Sequence, residues 1–573
     1  MKQIYYVIQT LLRGRGSNII KVLSLGLALT MSILLFVRVV FEQSYDTCYR
    51  DLDRIYQLFS IFTINGEQGE PSELNLPPVA GAVLENFPQE VEAAVSVCKY
   101  MAFGPLYNGS VRFKDYAVMA DSLFFQTLGI EVLRGDPLHE LQQKDVVFLS
   151  DRLAQKMFDD EDPVGKVINY DKQLQLTVKG IYAALPENST MNPEAVISIV
   201  SAWSRDWAEY SWEGGDSFFQ YIRFRPGVKV DVEKFNARLE TVIHNYLPQD
   251  GKDNSSYTSI VKPLRDVYRS GDMVKRMNAI TLILGLAILF IAAMNYVLIS
   301  ISSLSYRAKA VGVHKCNGAS GGTVFSMFLL ETGIVILLSL ILMVLLLLNF
   351  REMIEETMEV QLTSLFVFGR IWVPLVVVLG LFIVGGVLPG RMFSRIPVSQ
   401  VFRHYTEGKK GWKRPLLFIQ FLGVAFICGL MCVIMAQYHY VLNKNTGYDA
   451  RSIATSDIYF DSDSERDAAR QFFCGLPYVE DVESASYPPC IGMSGMRIMD
   501  ESGQSLFSSR YCVETENYPK MMGMVIKEGR MARERNEAVV NETFAKTMRW
   551  GDDIVGRIVH QGNTSLGDLR VVG

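Results

Sequence analysis

The sequence predicts a multi-pass α-helical membrane protein with mixed α/β extracytoplasmic domains. Hydrophobic residues make up 49% and charged residues 20% of the 573 residues, and the two kinds separate into long apolar runs and soluble blocks. A helix rises about 1.5 Å per residue, so about 17 to 25 apolar residues cross a hydrocarbon core of roughly 30 Å. Five runs meet this length: 19–40, 280–301, 324–348, 371–388 and 416–435.

The first run is predicted to be a retained signal anchor with its N-terminal side in the cytoplasm. A cleavable secretory signal has an apolar region of about 7–15 residues and a small-residue cleavage site. This run is longer, and Arg38 and Glu42 stand at its end without such a site. Lys21 and Arg38 lie near the two ends of the run, where such side chains are expected to snorkel to the lipid head groups.

The block from residue 41 to residue 275 is predicted to be a mixed α and β domain outside the cytoplasm. Segments typical of strands are 54–62, 111–119, 174–182 and 218–224, and segments with helical spacing of apolar residues are 150–158 and 232–246. No GxSxG, HExxH or Cys/His pair gives this block a catalytic motif. The acidic run 159–162 lacks the alternating ligand spacing of a calcium loop and is interpreted as a solvated turn.

Cysteine and histidine usage indicates neither a disulfide framework nor a metal site. The eight cysteines have no regular spacing, the six histidines are scattered, and no CxxC pair occurs. The net charge of −5 is mild. The basic residues near the spans are interpreted as determinants of topology and not as a nucleic-acid surface.

The segment RAKAVGVHKCNGAS, residues 307–320, lies between the second and third runs. It contains Arg307, Lys309 and Lys315 and no acidic residue, so the positive-inside rule places it in the cytoplasm. Gly312 and Gly318 permit a compact turn or a close approach by another backbone. The linker after residue 388 is strongly basic and is placed inside as well. From charge alone, a loop that merely determines topology remains the simpler interpretation.

Two polar residues within the membrane runs are candidates for a function, because such residues are costly in lipid. Glu331 is interpreted as an interfacial carboxylate paired with Lys315 or Arg307, in preference to part of an ion or proton path. Asn295 is interpreted as an interhelical hydrogen-bonding group and not as a substrate ligand.

The second soluble stretch repeats part of the first. FFQTLGIEVLRGDP, VVFLSDRLAQKMFDDEDPVGKVI and LTVKG correspond to YPKMMGMVIKEGRM, EAVVNETFAKTMRWGDDIVGRIV and LRVVG. The matched residues are Gly129, Gly135, Ala154, Gly165 and Gly180 in the first copy and Gly523, Gly529, Ala545, Gly556 and Gly573 in the second. The alternative is chance similarity of two β–α–β segments. Because the second copy stops where the first continues, the chain is expected to be a C-terminally incomplete form of a longer protein with three further spans.

These features together resemble the permease subunits of MacB/FtsX-type ABC transporters, in their duplicated two-module form. ADSLFFQTLGIEVLRGDP and LSDRLAQKMFDDEDPVGK are similar to a MacB-like periplasmic core domain, and RAKAVGVHKCNGAS followed by FLLE resembles the FtsX-like membrane module. The domains expected from this resemblance are 1–40, a cytoplasmic N-terminus with the signal anchor; 41–277, a MacB-like core; 278–402, an FtsX-like module with three spans; 403–437, a basic linker with the fifth span; and 438–573, a truncated second MacB-like domain.

The resemblance implies that the loop 307–320 is the coupling element to a cytoplasmic ABC ATPase subunit, present in two copies. The coupling residues are then Arg307, Lys309, Gly312, Lys315, Gly318 and Ala319. The chain has no GxxxxGK[ST] P-loop, so it is expected to be no enzyme and to hold no cofactor, with ATP and Mg²⁺ bound by the partner. Its other partners are membrane lipid and a periplasmic or outer-membrane protein, without nucleic acid.

The function implied by the resemblance is efflux or extraction of a substrate across or from the cell envelope, in a bacterial cytoplasmic membrane. Hydrolysis by the ATPase would change the arrangement of the extracytoplasmic domains. The alternative is a non-transporting transmitter that regulates an envelope sensor or hydrolase. Neither the substrate nor the direction of transport follows from the sequence.

Overall fold

The structure is a computed structural model of the chain. It describes residues 17–99, 102, 104–171, 174–207, 209–212, 217–247, 255–302, 312–313, 315–316, 318–394, 413–444, 447–448, 452–456, 458, 463–486, 494–551, 553–562 and 567–573.

The first soluble region is built on one mixed sheet of 14 strands. They are β1 Ile55–Ile64, β2 Glu67–Gln68, β3 Leu74–Asn75, β4 Val91–Cys98, β5 Leu106–Asn108, β6 Val111–Phe113, β7 Ala117–Ala120, β8 Val132–Arg134, β9 Val146–Ser150, β10 Val167–Tyr170, β11 Leu174–Tyr182, β12 Ala195–Ser198, β13 Phe218–Phe224 and β14 Ser255–Pro263. Their order is β14-β1-β13-β4-β7-β12-β9-β11-β10-β5-β6, with β2 on β1, β3 on β13 and β8 on β11. β9 and β11 are parallel, as are β7 and β12.

The residue pattern of each strand matches its place in the sheet. β11 alternates buried with less buried residues along its whole length, as expected of a strand with one face in the core. β9, β12 and β13 are buried at every position, which requires cover on both faces. The sequence segment 111–119 forms two strands and not one, because the chain leaves the sheet between β6 and β7.

Helices cover the faces of this sheet. They are α2 Val79–Asn86, α3 Phe124–Leu128, α4 Pro137–Glu140, α5 Asp151–Phe158, α6 Val200–Trp203, α7 Val232–Tyr246 and α8 Leu264–Ser270, with a 3₁₀ turn at Leu52–Arg54. The predicted helical segments 150–158 and 232–246 correspond to α5 and α7. Ser150 and Asp231 cap these helices by accepting the backbone N–H of Leu153 and Lys234, which satisfies donors left free in the first turn.

The apolar runs form long helices. These are α1 Ser17–Gln43, α9 Asp272–Ser302, α10 Gly321–Asn349, α13 Trp372–Phe382 continued by a π turn Ile383–Val387 and by α14 Leu388–Ser394, and α15 Lys413–Asn443. Two short helices, α11 Arg351–Met358 and α12 Leu362–Leu365, and a 3₁₀ turn Phe368–Arg370 connect α10 to α13. By length and composition, five helices in the described part of the chain are able to cross a membrane.

Four of the five candidate spans pack together. α1 lies against both α9 and α10, and its buried residues Leu29, Ile33 and Val37 share one apolar cluster with Val335 and Val377. The span of α15 is different, because none of its most apolar window is buried by protein.

The second soluble region has the strand order of one part of the first. It contains α16 Asp463–Cys474, β15 Ser494–Met499, β16 Ser505–Tyr511, α17 Tyr518–Met521, β17 Glu537–Ala538, α18 Glu542–Thr547, β18 Ile558–Gln561 and β19 Leu569–Val571. Its order, β16-β15-β18-β19-β17, corresponds to β6-β5-β10-β11-β9. The pairing directions also agree, because β17 is parallel to β19 and β18 antiparallel, as β9 and β10 are to β11.

The glycines that the sequence repeat matched adopt the same backbone conformation in both regions. Gly129, Gly135 and Gly165 have φ of 67°, 96° and 88°, and their counterparts Gly523, Gly529 and Gly556 have 73°, 76° and 94°. The backbone bonds match too, since Gly165 donates to Val178 at 2.7 Å and Gly556 to Val571 at 2.8 Å. Chance similarity does not explain this agreement in topology, conformation and hydrogen bonding.

Candidate functional site

The predicted coupling loop is described only in its second half. Arg307 and Lys309 lie outside the described residues, whereas Gly312, Lys315, Gly318 and Ala319 lie within them. Gly312 is buried and Ala319 is partly buried. The Lys315 ammonium donates to the backbone carbonyl of Ser394 at 2.9 Å, so this end of the loop is held against the last turn of α14.

Backbone geometry explains how the loop turns into α10. Gly318 has φ of +87°, a left-handed conformation that side chains other than glycine adopt at a cost. Its N–H donates to the Lys315 carbonyl at 3.1 Å. Ser320 then caps α10 by accepting the Thr323 N–H at 3.2 Å. The serine that ends the RAKAVGVHKCNGAS segment is therefore the residue that starts the third membrane helix.

The outer surface of the described half-loop is partly apolar. Val313 is 53% exposed, and Cys316 and Gly318 are exposed as well. An exposed valine near Lys315 is suited to contact with a protein surface, because apolar area supplies affinity and charge supplies orientation. Nothing in the described half of the loop provides a nucleophile with an activating base.

Arg307 lies outside the described residues, and the predicted pairing of Glu331 with Lys315 is wrong, because the Lys315 ammonium donates to Ser394. Glu331 pairs instead with a base on α1. Its Oε1 lies 3.6 Å from the Nζ of Lys21 on α1. The expectation that Lys21 snorkels to the head groups is wrong, because its side chain is only 1% exposed and is enclosed by protein. The physical reason is that Glu331 and the ring of Tyr296, whose centroid is 5.7 Å from the ammonium, offer it partners inside the helix bundle.

Asn295 is half-buried on α9, and the residue after it makes the hydrogen bond between α9 and α10. The Tyr296 hydroxyl donates to Thr332 Oγ1 at 3.0 Å. Lys21, Tyr296, Glu331 and Thr332 thus connect three helices in one place. The role of Tyr296 was missed because an aromatic residue in an apolar run reads as ordinary core.

A second polar cluster lies where α1 leaves the membrane helices and enters the first soluble region. Asn188 Nδ2 donates to the Ser44 carbonyl at 2.6 Å, and Arg370 Nη2 donates to Ser44 Oγ at 2.8 Å. The Arg38 guanidinium pairs with Glu42 at 2.5 Å and donates to the Met358 carbonyl at 3.1 Å. We call these five side chains and the backbone they bond the outer junction.

Asp46 extends the outer junction into the soluble region. It has φ of 60°, and its carboxylate accepts the Thr190 N–H at 2.8 Å and the Thr190 hydroxyl at 2.9 Å. Burial raises the pKa of Asp46, and the hydrogen bonds from Thr190 oppose that rise. No sequence motif marks this cluster, because its members come from segments far apart in the chain.

The first soluble region also contains an open cleft of about 1140 Å³. Two ion pairs lie in its lining: Arg223 contacts Asp51 at 2.7 Å and Arg54 contacts Glu92 at 2.7 Å. Arg50 and Glu131 line the cleft as well. Outside the cleft, the contacts described above connect α1, α9, α10 and α14 with one another and with the first soluble region.

Comparison with protein families agrees with this geometry. The family model of the MacB-like periplasmic core domain matches residues 22–242, and that of the FtsX-like permease C-terminal domain matches residues 282–398. The chain is a permease of the MacB/FtsX type. Permeases of this family are transmembrane components, and the family implies an ABC ATPase as partner. The comparison with curated proteins gives no match.

The permease is also similar to solved structures of soluble domains. A domain of a permease protein from Porphyromonas gingivalis is 21% identical with a TM-score of 0.33, covering 38% of this chain and 92% of its own. The periplasmic region of MacB from Actinobacillus actinomycetemcomitans is 15% identical with a TM-score of 0.27, covering 37% and 91%. The extracellular domain of the ABC-type transporter YknZ from Gram-positive bacteria is 10% identical with a TM-score of 0.26, covering 36% and 99%.

Proposed function

We propose that this permease couples ATP hydrolysis by a separate cytoplasmic ATPase to a conformational change of its extracytoplasmic domains. The change serves efflux or extraction of a substrate across or from the envelope, with the chain in the bacterial cytoplasmic membrane. The ATPase supplies the nucleotide chemistry, because this chain has no P-loop. The loop 307–320 is the surface on which the ATPase acts.

The observation that carries this proposal is an unbroken set of contacts from the loop to the first soluble region. Lys315 bonds the end of α14, and Ser320, the last residue of the loop segment, caps α10. α10 packs along α1. α1 continues into the outer junction, where Ser44 is bonded by Asn188 of the soluble region. Packed helices and hydrogen-bonded termini transmit displacement because protein interiors deform little.

The charge distribution supports the direction of this path. The loop segment and the linker after α14 are both rich in bases, which favours the cytoplasm for both. The two soluble regions then lie on the opposite side. Their shared topology supports an arrangement in which two related domains move relative to each other.

Substitutions in the loop test the proposal. Gly312→Val adds bulk at a buried glycine without changing charge, and Lys309→Glu/Lys315→Glu reverses two of the three basic residues of the loop segment. Each is expected to weaken association with the ATPase by about thirtyfold or more, the size of loss seen at central interface positions, because the first distorts the loop from within and the second reverses its charge. The measurements are co-purification of the ATPase with the full-length chain and its hydrolysis rate in proteoliposomes.

Gly369→Val is the matched control, because Gly369 is exposed at the other end of the membrane helices and no atom outside its own neighbourhood lies within 4 Å of an added β-carbon. It should leave both measurements unchanged. If Gly312→Val and the charge reversal bind and stimulate the ATPase as the unaltered chain does, the loop is only a topological anchor. An envelope protein captured without any dependence of hydrolysis on cargo would favour the regulatory alternative.

A further inference from the structure

Four membrane helices meet at one polar cluster within the candidate spans. Lys21 of α1 pairs with Glu331 of α10 at 3.6 Å, and Tyr296 of α9 bonds Thr332 of α10 at 3.0 Å. The Lys21 ammonium lies 5.7 Å from the centre of the Tyr296 ring. We call these four residues the inner clamp. The fourth helix reaches it through the π turn Ile383–Val387.

The ion pair of the inner clamp is shielded from solvent by protein, with side chains only 1% and 12% exposed. Removing two charges from water costs more than an isolated pair returns, so a buried pair is weak evidence of a stabilising role. Removing only one partner is worse, because it leaves an uncompensated charge. The pair is therefore better explained by a role in holding α1 in register with α10 than by a contribution to stability.

The π turn is fitted to the clamp by two adjacent glycines. A β-carbon added at Gly385 would lie 2.9 Å from Cδ1 of Tyr296, and one added at Gly386 would lie 3.2 Å from Cγ2 of Thr332. Both distances are shorter than ordinary carbon contacts, so a side chain at either position would require the Tyr296 ring or Thr332 to shift. A π turn inserts a residue into a helix and occurs frequently at functional sites. Here it separates the outer helix α13 from the inner helix α14.

The helix that follows the π turn, α14, contacts the loop and the first turns of α10. Ser394 accepts the Lys315 ammonium at 2.9 Å, and a β-carbon at Gly321 would lie 3.4 Å from the Ser394 carbonyl oxygen. One added at Gly390 would lie 3.1 Å from Cδ2 of Phe325. α14, the described end of the loop and the first turns of α10 thus form one body, which we call the inner unit.

We propose that Lys21 and Glu331 are positioning residues that make α1 move with the inner unit, and that the π turn is the hinge that lets the inner unit move relative to α13. A displacement of the loop reaches α10 directly and passes to α1 through the ion pair. α1 carries it to the outer junction. The hydrogen bond between Tyr296 and Thr332 keeps α9 in register with α10 next to the ion pair. This inference rests on the proposed function for its cause of motion, but the clamp itself is testable without an ATPase.

The first test measures whether the ion pair holds α1 on α10. In full-length chain without native cysteines, Gly26→Cys and Leu342→Cys are introduced, because an added β-carbon at Gly26 would lie 2.6 Å from Leu342 Cδ2. Lys21→Met and Glu331→Gln should each slow disulfide formation in the membrane, by roughly 2- to 30-fold as measured couplings do. The charge exchange Lys21→Glu/Glu331→Lys should restore it, and Arg351→Met, which removes an exposed ion pair with Glu355, should not change it.

The second test uses the same disulfide as a reversible lock. In the reconstituted complex, hydrogen exchange at residues 44–50 is compared with and without trapped nucleotide. Lys21→Met is expected to reduce the nucleotide-dependent difference severalfold while the ATPase still co-purifies. Oxidation of the 26–342 pair should restore the difference in Lys21→Met and leave it intact in the lysine-containing chain. Reduction should reverse the rescue.

The outcomes separate the clamp from the proposed function. A rate of 26–342 disulfide formation that is independent of Lys21 and Glu331 overturns the clamp, whether or not an ATPase binds. The clamp is also overturned if the oxidised 26–342 disulfide abolishes the nucleotide response of the lysine-containing chain. Such a result would mean that the response requires α1 to slide along α10. Absence of any nucleotide response in the unaltered complex contradicts the proposed function instead, and the rate of disulfide formation alone then decides the clamp. Should the charge variants fail to insert, Glu331→Asp keeps the charge but withdraws it from the Lys21 ammonium, and it must lower the same rate.

Discussion

Charged side chains with little solvent exposure hold α1 at both of its ends. On one side, Lys21 pairs with Glu331, with side chains 1% and 12% exposed, and on the other, Arg38 pairs with Glu42. Arg38 also donates to the backbone of α11. Charges in such places are costly unless they are paired. The paired charges lie at the two ends of α1 and not along its length. This placement allows α10 to displace α1 at one end and α1 to displace the outer junction at the other.

Single residues of the second soluble region make a prediction about pH. Glu537 accepts the Arg533 N–H at 2.9 Å and an N–H of Arg530 at 2.8 Å, and chiefly the Arg530 guanidinium lowers the pKa of Glu537 to about 2. A depressed pKa contributes stability at pH values above the unfolded value of roughly 4.3. That contribution is lost as the pH falls towards 2.

We expect Glu537→Gln to lower the protection of residues 530–540 at pH 7 and to have no such effect near pH 2. The measurement is hydrogen exchange of the full-length chain, corrected for the intrinsic dependence of exchange on pH. Glu501→Gln is the matched control, since Glu501 is exposed in the same region. Equal protection of the Glu537→Gln variant and the unaltered chain at pH 7 would show that the pair contributes nothing.

Contacts between individual polar residues were the feature that the sequence predicted least well. Glu331 was recognised as unusual because a carboxylate in an apolar run is unusual by itself. Its partner Lys21 was not, because a lysine near the end of a span has an ordinary explanation in snorkelling. Whether Lys21 snorkels or forms an ion pair depends on which helix packs beside α1. The sequence alone does not give this packing. Ser44, Asn188 and Arg370 of the outer junction were missed for the same reason.

At the scale of secondary-structure elements, the repeated glycines lead to a prediction with an internal control. Gly135 has φ of +96°, and a β-carbon there would lie 2.5 Å from the Lys179 carbonyl oxygen and 2.9 Å from the Gly180 Cα. Its counterpart Gly529 would place a β-carbon against the Val572 carbonyl oxygen and 2.9 Å from the Gly573 Cα. In both regions the chain after a short helix passes close to the last strand of the repeat, β11 in the first region and the end of β19 in the second.

Gly135→Ala should therefore destabilise the first soluble region by about 2 kcal/mol or more, since backbone strain and overpacking add. Gly109→Ala is the control, because Gly109 also has positive φ, at +60°, but no atom lies within 4 Å of an added β-carbon. It should cost only the strain, about 1 kcal/mol. Thermal unfolding of both variants in detergent measures the difference. Equal losses would mean that the close crossing has no energetic consequence.

Elements were predicted well from sequence wherever their periodicity was local. The segments 174–182 and 218–224 coincide with β11 and β13, and 232–246 coincides with α7. The repeat was visible because glycine spacing is retained when side chains change. The π turn was not visible, since Ile383–Val387 is apolar and reads as continuous helix. Its π geometry is seen only in the backbone of the folded chain, where its glycines pack against Tyr296 and Thr332.

At the scale of the whole molecule, the two soluble regions touch at a strand edge. Asn65, in the turn between β1 and β2, donates through its side-chain amide to the Ser505 carbonyl at 3.2 Å and to the Leu506 carbonyl at 3.3 Å. Both carbonyls belong to β16, which ends its sheet. An edge strand offers unpaired backbone groups. The contact therefore joins the first soluble region to backbone acceptors on the edge strand of the second.

The whole-molecule arrangement makes a prediction about sidedness that rests on charge and on the helices together. With an inside N-terminus, five successive spans put the loop 307–320 and the linker after α14 in the cytoplasm, and both are basic. The same alternation puts both soluble regions outside. The family model of the periplasmic core domain matches residues 22–242 and therefore only the first soluble region. The side on which the second region lies stays a prediction.

Thiol labelling of intact cells tests this sidedness. In full-length chains with one cysteine each, Lys229→Cys and Glu501→Cys are expected to react with a membrane-impermeant reagent, because both positions are exposed and lie in the two soluble regions. A chain that keeps only the native Cys316, which is exposed in the loop, should stay unlabelled until the cells are permeabilised. Labelling of Cys316 in sealed cells would place the loop outside, where no cytoplasmic ATPase reaches it. Failure of Glu501→Cys alone to react would break the alternation at α15 and leave the inner clamp and the first soluble region as they are.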